Sequence, residues 1–118
     1  MKDWWFTYSP FDQHDFLARV LGRTPELVAA ELADYQWIQH PSYSYVVPAQ
    51  GMKVQGSLVA MQLGDDWLLD DEFGIRFSYY RRIQVSVKSG QEMRQAWVMV
   101  GGPSLSWAIQ GQEESQST

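Results

Sequence analysis

Carboxylates crowd one short stretch of this 118-residue chain: Asp65, Asp66, Asp70, Asp71 and Glu72. A carboxylate can act as a general base or ligate a hard cation. The calcium-loop option does not fit, because Trp67, Leu68 and Leu69 interrupt the ligand positions an EF-hand requires. That leaves acid–base work or a solvated acidic face. The cations follow closely: Arg76, then the pair Arg81-Arg82. A guanidinium grips a carboxylate with two parallel donors, so an Arg beside an acidic stretch can bind a substrate acid or simply pair with its neighbours. His14 and His40 stand far apart, and neither has a second His at ligand spacing, so no metal site is expected. There is no cysteine, which removes thiol nucleophiles, disulfides and thiolate metal sites. Ser9 is not in a Gly-x-Ser-x-Gly elbow, so a serine hydrolase has no support.

The net charge of −5 argues against a phosphate-gripping surface, which needs clustered Lys and Arg. Neither nucleic acid nor an anionic membrane is an expected partner. No apolar run approaches the length of a membrane span or a secretory signal, so a cytoplasmic setting is expected. A chain of this length is expected to make one domain. Its apolar content of 45%, with 14% aromatic, supports a packed core. Residues 1–110 read as that domain. The polar stretch 111–118 reads as a flexible tail. Six tryptophans are many for this length, and most are expected in the core. Surplus aromatics favour interfaces, so a homodimer is one expectation.

The elements that must position these residues can be read from periodicity. Trp4 to Tyr8 suits a strand ended by Ser9-Pro10. Asp12 to Leu21 reads as a helix: Phe16, Leu17, Val20 and Leu21 form one stripe, with Asp12 as cap and Gly22 as stop. Thr24-Pro25 could open a second short turn. Ala30 to Ile38 reads as a strand. Pro41 breaks it, and Tyr43 to Val47 is a short strand ended by Pro48. Gly51 marks a turn, and Lys53 to Leu63 is the next strand. Asp66 to Phe73 is a short helical turn. Phe77 to Lys88 alternates cleanly, Ser89-Gly90 turns the chain, and Glu92 to Val100 returns beside it. Leu105 to Ile109 is a small apolar patch. The fold class is therefore α+β.

Three local patterns sit in this order: Phe6-Thr7-Tyr8-Ser9-Pro10-Phe11, Val54-Gln55-Gly56, and Leu69-Asp70-Asp71-Glu72-Phe73-Gly74 followed by Tyr80-Arg81-Arg82. Together they resemble the γ-glutamylcyclotransferase-like family, which includes the AIG2-like and γ-glutamylamine cyclotransferase proteins. That family carries Tyr-Gly-Ser/Thr at the end of its first strand, then Val-x-Gly, then Leu-Asp-x-Tyr/Phe-Glu-Gly, then Tyr-x-Arg. The resemblance spans about Trp4 to Val100. It implies a small mixed β-barrel with flanking helices and no cofactor. It also implies a pocket at the end of the first strand, for a small γ-glutamyl ligand.

In active members, the resemblance further implies, the backbone of the first loop holds the γ-glutamyl group. A Glu takes the proton from the substrate amine, which attacks the γ-carbonyl and releases 5-oxoproline. Mapped onto this chain, the binding positions are Tyr8, Ser9, Pro10, Phe11, Phe73, Tyr80 and Arg82. The loop's Gly is Ser9 here, and Pro10 removes one N–H donor. Aligning Leu69-Asp70 and Gly74 puts Phe73 at the catalytic Glu position and Glu72 at the aromatic one. Two readings stay open. Glu72 is the base in a turn re-phased by one residue, or Phe73 fills the pocket of a catalytically inactive relative that binds a small molecule or a protein.

Overall fold

The computed structural model describes residues 3–40 and 43–103. The apolar patch 105–109 and the tail 111–118 lie outside the described residues. Five strands and two helices follow in the order β1 (Trp4–Thr7), α1 (His14–Leu21), β2 (Val28–Gln39), β3 (Ser44–Ala60), α2 (Asp65–Glu72), β4 (Tyr80–Ser89) and β5 (Glu92–Gly101), with a 3-10 turn at Ile75–Phe77. The strands close into a barrel in the order β1-β3-β2-β4-β5. β1 lies antiparallel to β3 and parallel to β5, meeting the latter at Trp5 opposite Trp97. β2 pairs with β4 at Glu31 and Lys88. The expected small β-barrel with flanking helices is the observed architecture.

Side chains on a strand alternate between its two faces, so each barrel strand feeds two cores. Phe6, Tyr8, Leu58, Val98 and Val100 point into the barrel with Val46, Val54 and Val87. Their neighbours Trp5, Val59 and Met99 point outward, under the helices. α1 covers that outer face with Leu17 and Leu21, and α2 adds Leu69, with Phe73 just past its end. The α1 stripe is as the periodicity predicts, and Gly22 ends the helix in the left-handed conformation at φ 73°. The cap differs. Gln13, not Asp12, flanks the first helical residue, and no side chain caps it.

Two strands expected from the sequence prove to be one. Pro48 and Gly51, read as a strand end and a turn, both lie inside the 17-residue β3. The reason is a bulge. Ala33 pairs with Lys53 whereas Tyr35 pairs with Pro48, so Asp34 alone faces the excess residues. Asp34 takes a left-handed φ of 64°, which a short polar side chain tolerates. Its Oδ1 accepts the Gly51 N–H at 3.0 Å. The loss of Pro48's donor is tolerable in an exposed, irregular stretch of ladder. β3 also stops at Ala60 rather than Leu63, and no helix forms at Thr24-Pro25, where the chain runs on to β2.

Gly56 in the Val54-Gln55-Gly56 pattern has a steric cause. A Cβ there would overlap the Thr7 carbonyl oxygen and come within 2.7 Å of the Phe6 ring. Only a bare backbone lets β1 lie this close to β3. Asp65, buried at the start of α2, fixes a second junction. It receives two N–H bonds from Arg23, at 2.8 and 2.7 Å, and the Gln62 N–H at 2.7 Å. Burial pushes its carboxyl upward, but the Arg23 and Gln62 hydrogen bonds and the Arg23 charge prevail and hold it below the usual range.

Two outcomes are expected. Gly56→Ala forces a backbone shift and should destabilise by roughly 1–3 kcal/mol, read as a lower urea midpoint at unchanged slope. Asp65→Asn should cost about 1–3 kcal/mol at neutral pH. Because the folded carboxyl titrates below the unfolded one, that stabilisation is present above the ordinary Asp value near ~4 and fades as pH falls through the folded value. Unfolding curves of both proteins should therefore converge on acidification.

Candidate active site

The loop leaving β1 folds back on itself. The Phe11 N–H donates to the Tyr8 carbonyl at 2.6 Å, around a cis Ser9–Pro10 bond. The buried Thr7 hydroxyl donates to the Phe11 carbonyl at 2.7 Å. From outside, the Trp37 indole N–H donates to the Ser9 carbonyl at 2.9 Å, tying the loop to β2. These bonds deliver the Phe11 ring to the outer core.

Phe11 meets Phe73 there, with ring centres 4.8 Å apart and near-perpendicular. Phe73 also lies edge-on to Trp5 at 5.9 Å and to Tyr80 at 5.1 Å. Edge-to-face packing of this kind adds to the gain from burial alone. Phe73 is 5% exposed. Its neighbour Glu72 is exposed and reaches instead to the Arg19 guanidinium of α1 at 2.8 Å.

Above this cluster opens a cavity of about 370 Å³. Pro10 and Phe11 of the loop, Phe16 of α1, and Glu72, Phe73 and Tyr80 form one side. The β2–β3 connection supplies the other through Gln39, His40, Tyr43 and Ser44. Tyr80 joins the sides by donating its hydroxyl to the Ser44 carbonyl at 2.6 Å. Burial, with the neighbouring Tyr43, pushes the Tyr80 phenol up to about 12 against the opposing effect of that bond. It is a neutral donor at physiological pH. Among the described residues, Glu72 is the one carboxylate lining the cavity.

Of the eight positions singled out by sequence, five line this cavity: Pro10, Phe11, Glu72, Phe73 and Tyr80. Tyr8 does not. Its ring is 2% exposed inside the barrel, with its hydroxyl bonded to the Met99 carbonyl at 2.6 Å. Burial, followed by the nearby Tyr80, raises its pKa well above the usual phenol range. Ser9 is exposed and faces the loop's outer side through its carbonyl. Arg82 lies over the Trp97 ring at 4.9 Å. It pairs with Asp70 at 3.5 Å and Asp66 at 4.0 Å, outside the cavity lining. Burial raises the Asp70 carboxyl above its usual range despite Arg82.

Sequence reasoning missed Phe16, Gln39, His40, Tyr43 and Ser44 as cavity residues. One signal was present. Pro41 breaks the strand pattern in the sequence, and His40 and Tyr43 exchange backbone hydrogen bonds at 2.8 and 3.1 Å. Among the described residues, no cluster of His, Asp and Glu could hold a metal ion, and no helix is long and apolar enough to cross a membrane.

A family model described as "Gamma-glutamyl cyclotransferase, AIG2-like" matches residues 6–116. The fold is similar to a solved structure titled "Gamma-glutamyl cyclotransferase", with TM-score 0.75 at 14% identity, over 86% of this chain and 67% of that one. It is also similar to two Arabidopsis thaliana proteins solved in solution. At3g28950.1 gives TM-score 0.71 at 17% identity, over 99% of this chain and 79% of that one. At5g39720.1 gives 0.70 at 20%, over 96% and 85%. No curated protein matches the sequence significantly.

The aromatic cluster carries a stability prediction. Phe73→Ala should destabilise by about 3–5 kcal/mol, as truncation of a buried aromatic does. Tyr80→Phe removes only the bond to Ser44 and should cost about 1 kcal/mol. Chemical unfolding of the two variants checks the ranking.

Proposed function

The chain belongs to the AIG2-like γ-glutamyl cyclotransferase family, and on that premise we propose that its cavity takes a γ-glutamyl amine or γ-glutamyl amino acid, with Glu72 as the base that starts cyclisation. The observation supporting this most directly is that Glu72 is the one carboxylate among the described residues of the cavity lining, which it shares with Pro10 and Phe11 of the loop that ends β1. A base must come within roughly 2.6–3.2 Å of the proton it removes. Glu72 can turn inward at small cost. The Arg19 side chain is 63% exposed and that of Glu72 34%, and an ion pair so open to solvent is held only weakly.

The step balances without a cofactor. Glu72 takes a proton from the substrate's α-amino group. The freed nitrogen attacks the γ-carbonyl carbon and a five-membered ring closes. The bond from that carbon to the leaving nitrogen breaks as Glu72 returns its proton to the departing amine, which also takes up the second proton shed by the ring nitrogen and leaves as an ammonium. The products are 5-oxoproline and the amine. Tethered in the same molecule as the γ-carbonyl, the amine attacks ahead of any external nucleophile.

A second reading has its own observation. Oxyanion donors supply a large share of acyl-transfer catalysis, and the loop offers few of them. Pro10 has no N–H, and the Phe11 N–H is committed to the Tyr8 carbonyl. This favours a pocket that binds the same compounds without turning them over.

Release of 5-oxoproline from a γ-glutamyl amine separates the two readings. The enzyme reading expects turnover by the wild-type protein and a loss of at least about 100-fold in Glu72→Gln, in line with general-base contributions. Calorimetric binding without release would select the second reading. Neither binding nor release would overturn both.

A further inference from the structure

Arg19 is held by two groups of the cavity wall. Its guanidinium donates to Glu72 Oε1 at 2.8 Å and stands over the Phe16 ring, 5.5 Å from its centre. Glu72 and Phe16 both line the cavity, so Arg19 stands at its rim. In the free protein the carboxylate of the cavity lining is therefore occupied by an internal cation. A ligand cation that reaches Glu72 competes with Arg19 for that carboxylate. Any ligand anion beside it would find a guanidinium just released, with a geometry made for a carboxylate.

From this arrangement we propose that the Arg19–Glu72 pair is the receptor for a free α-amino acid head group, with Arg19 the residue that selects for the α-carboxylate. Binding exchanges partners. The ligand ammonium takes Glu72, and the ligand carboxylate takes Arg19. One ion pair becomes two, and neither protein charge is left alone. Phe16, Phe11, Phe73 and Tyr80 receive the chain beyond the head group. A ligand with only an ammonium would compete for Glu72 without replacing Arg19's partner. A ligand with only a carboxylate would strand Glu72 in the same way. Discrimination thus comes from requiring both charges at once.

The inference deepens the γ-glutamyl reading and rests on it, since a γ-glutamyl compound presents this head group. It does not need turnover, so the two can fail separately. It also assigns a role to Arg19, which no sequence pattern marked. Both side chains are exposed enough for substitution without unfolding; thermal denaturation of each variant provides the check.

The test uses three probes that cannot cyclise, with the full chain and calorimetric titration. They are L-norleucine, pentylamine, which lacks the carboxylate, and hexanoate, which lacks the ammonium. The expected result is that norleucine binds at least about tenfold more tightly than either, the scale of one charge-assisted hydrogen-bonded contact. Arg19→Gln should bring norleucine down to the level of pentylamine without weakening pentylamine itself. Glu72→Gln should bring norleucine down to the level of hexanoate. Arg19→Lys should keep an intermediate preference. Equal affinity for norleucine and pentylamine in the wild type, no binding of norleucine, or unchanged norleucine affinity in Arg19→Gln would each overturn the inference. If 5-oxoproline release persists while Arg19→Gln behaves as wild type, the head-group inference fails and the enzyme reading stands. If the probes behave as expected and nothing is released, the inference stands and catalysis falls.

Discussion

The burial of Phe73 is the constraint on which the site depends. Its ring is gripped edge-on by Trp5, Phe11 and Tyr80, so it draws together β1, the loop after it, β4 and the end of α2. A buried aromatic ring of this size contributes a few kcal/mol, more than any exposed contact of α2 can offset. With Phe73 committed inward, the residue before it must take the rim. That is why Glu72 stands at the cavity mouth with Arg19, while the acids earlier in α2, Asp66 and Asp70, turn towards Arg82 on another side.

The barrel supplies the platform for this cluster by working on two faces. Phe6 and Tyr8 fill its inside while Trp5 is exported to the outer core. Gly56 permits the close approach of β1 that makes this possible. The loop after β1 then starts from a fixed point, held by Thr7 on one side and Trp37 on the other. The buried Asp65–Arg23 junction performs the corresponding task for α2. The rim residues are thereby carried on rigid supports, although Glu72 and Arg19 are themselves exposed side chains bound by a weak pair.

Much of this was legible in the sequence, and the exceptions have physical causes. Alternation over Phe77 to Lys88, with Ser89-Gly90, marked the β4–β5 hairpin, because a period of two has few competing explanations, but the strand starts only at Tyr80, since Phe77 closes the 3-10 turn Ile75–Phe77. The stripe on α1 was equally plain. The single strand β3 was hidden by Pro48 and Gly51, whose local preference for a break is accommodated by the bulge at Asp34 on a different strand. No local rule sees across that pairing. The loop residues Pro10 and Phe11 were found through a family pattern, but the same pattern suggested Tyr8 and Arg82, whose side chains the barrel sends elsewhere. His40, Tyr43 and Ser44 reach the cavity only because the long β2–β3 pair carries its connection there. Which of Glu72 and Phe73 faces inward could not be settled by spacing, since adjacent residues at the end of a helix differ only in direction. Packing decides it.

The most direct test of the account is a crystal structure of the Glu72→Gln variant soaked with a γ-glutamyl amine. The account predicts density for the compound in the cavity between Pro10-Phe11 and position 72, with its amino group at the side-chain amide introduced there and the Phe73 ring unmoved. A compound bound elsewhere, or one that enters only by driving Phe73 out of its aromatic cluster, would contradict it.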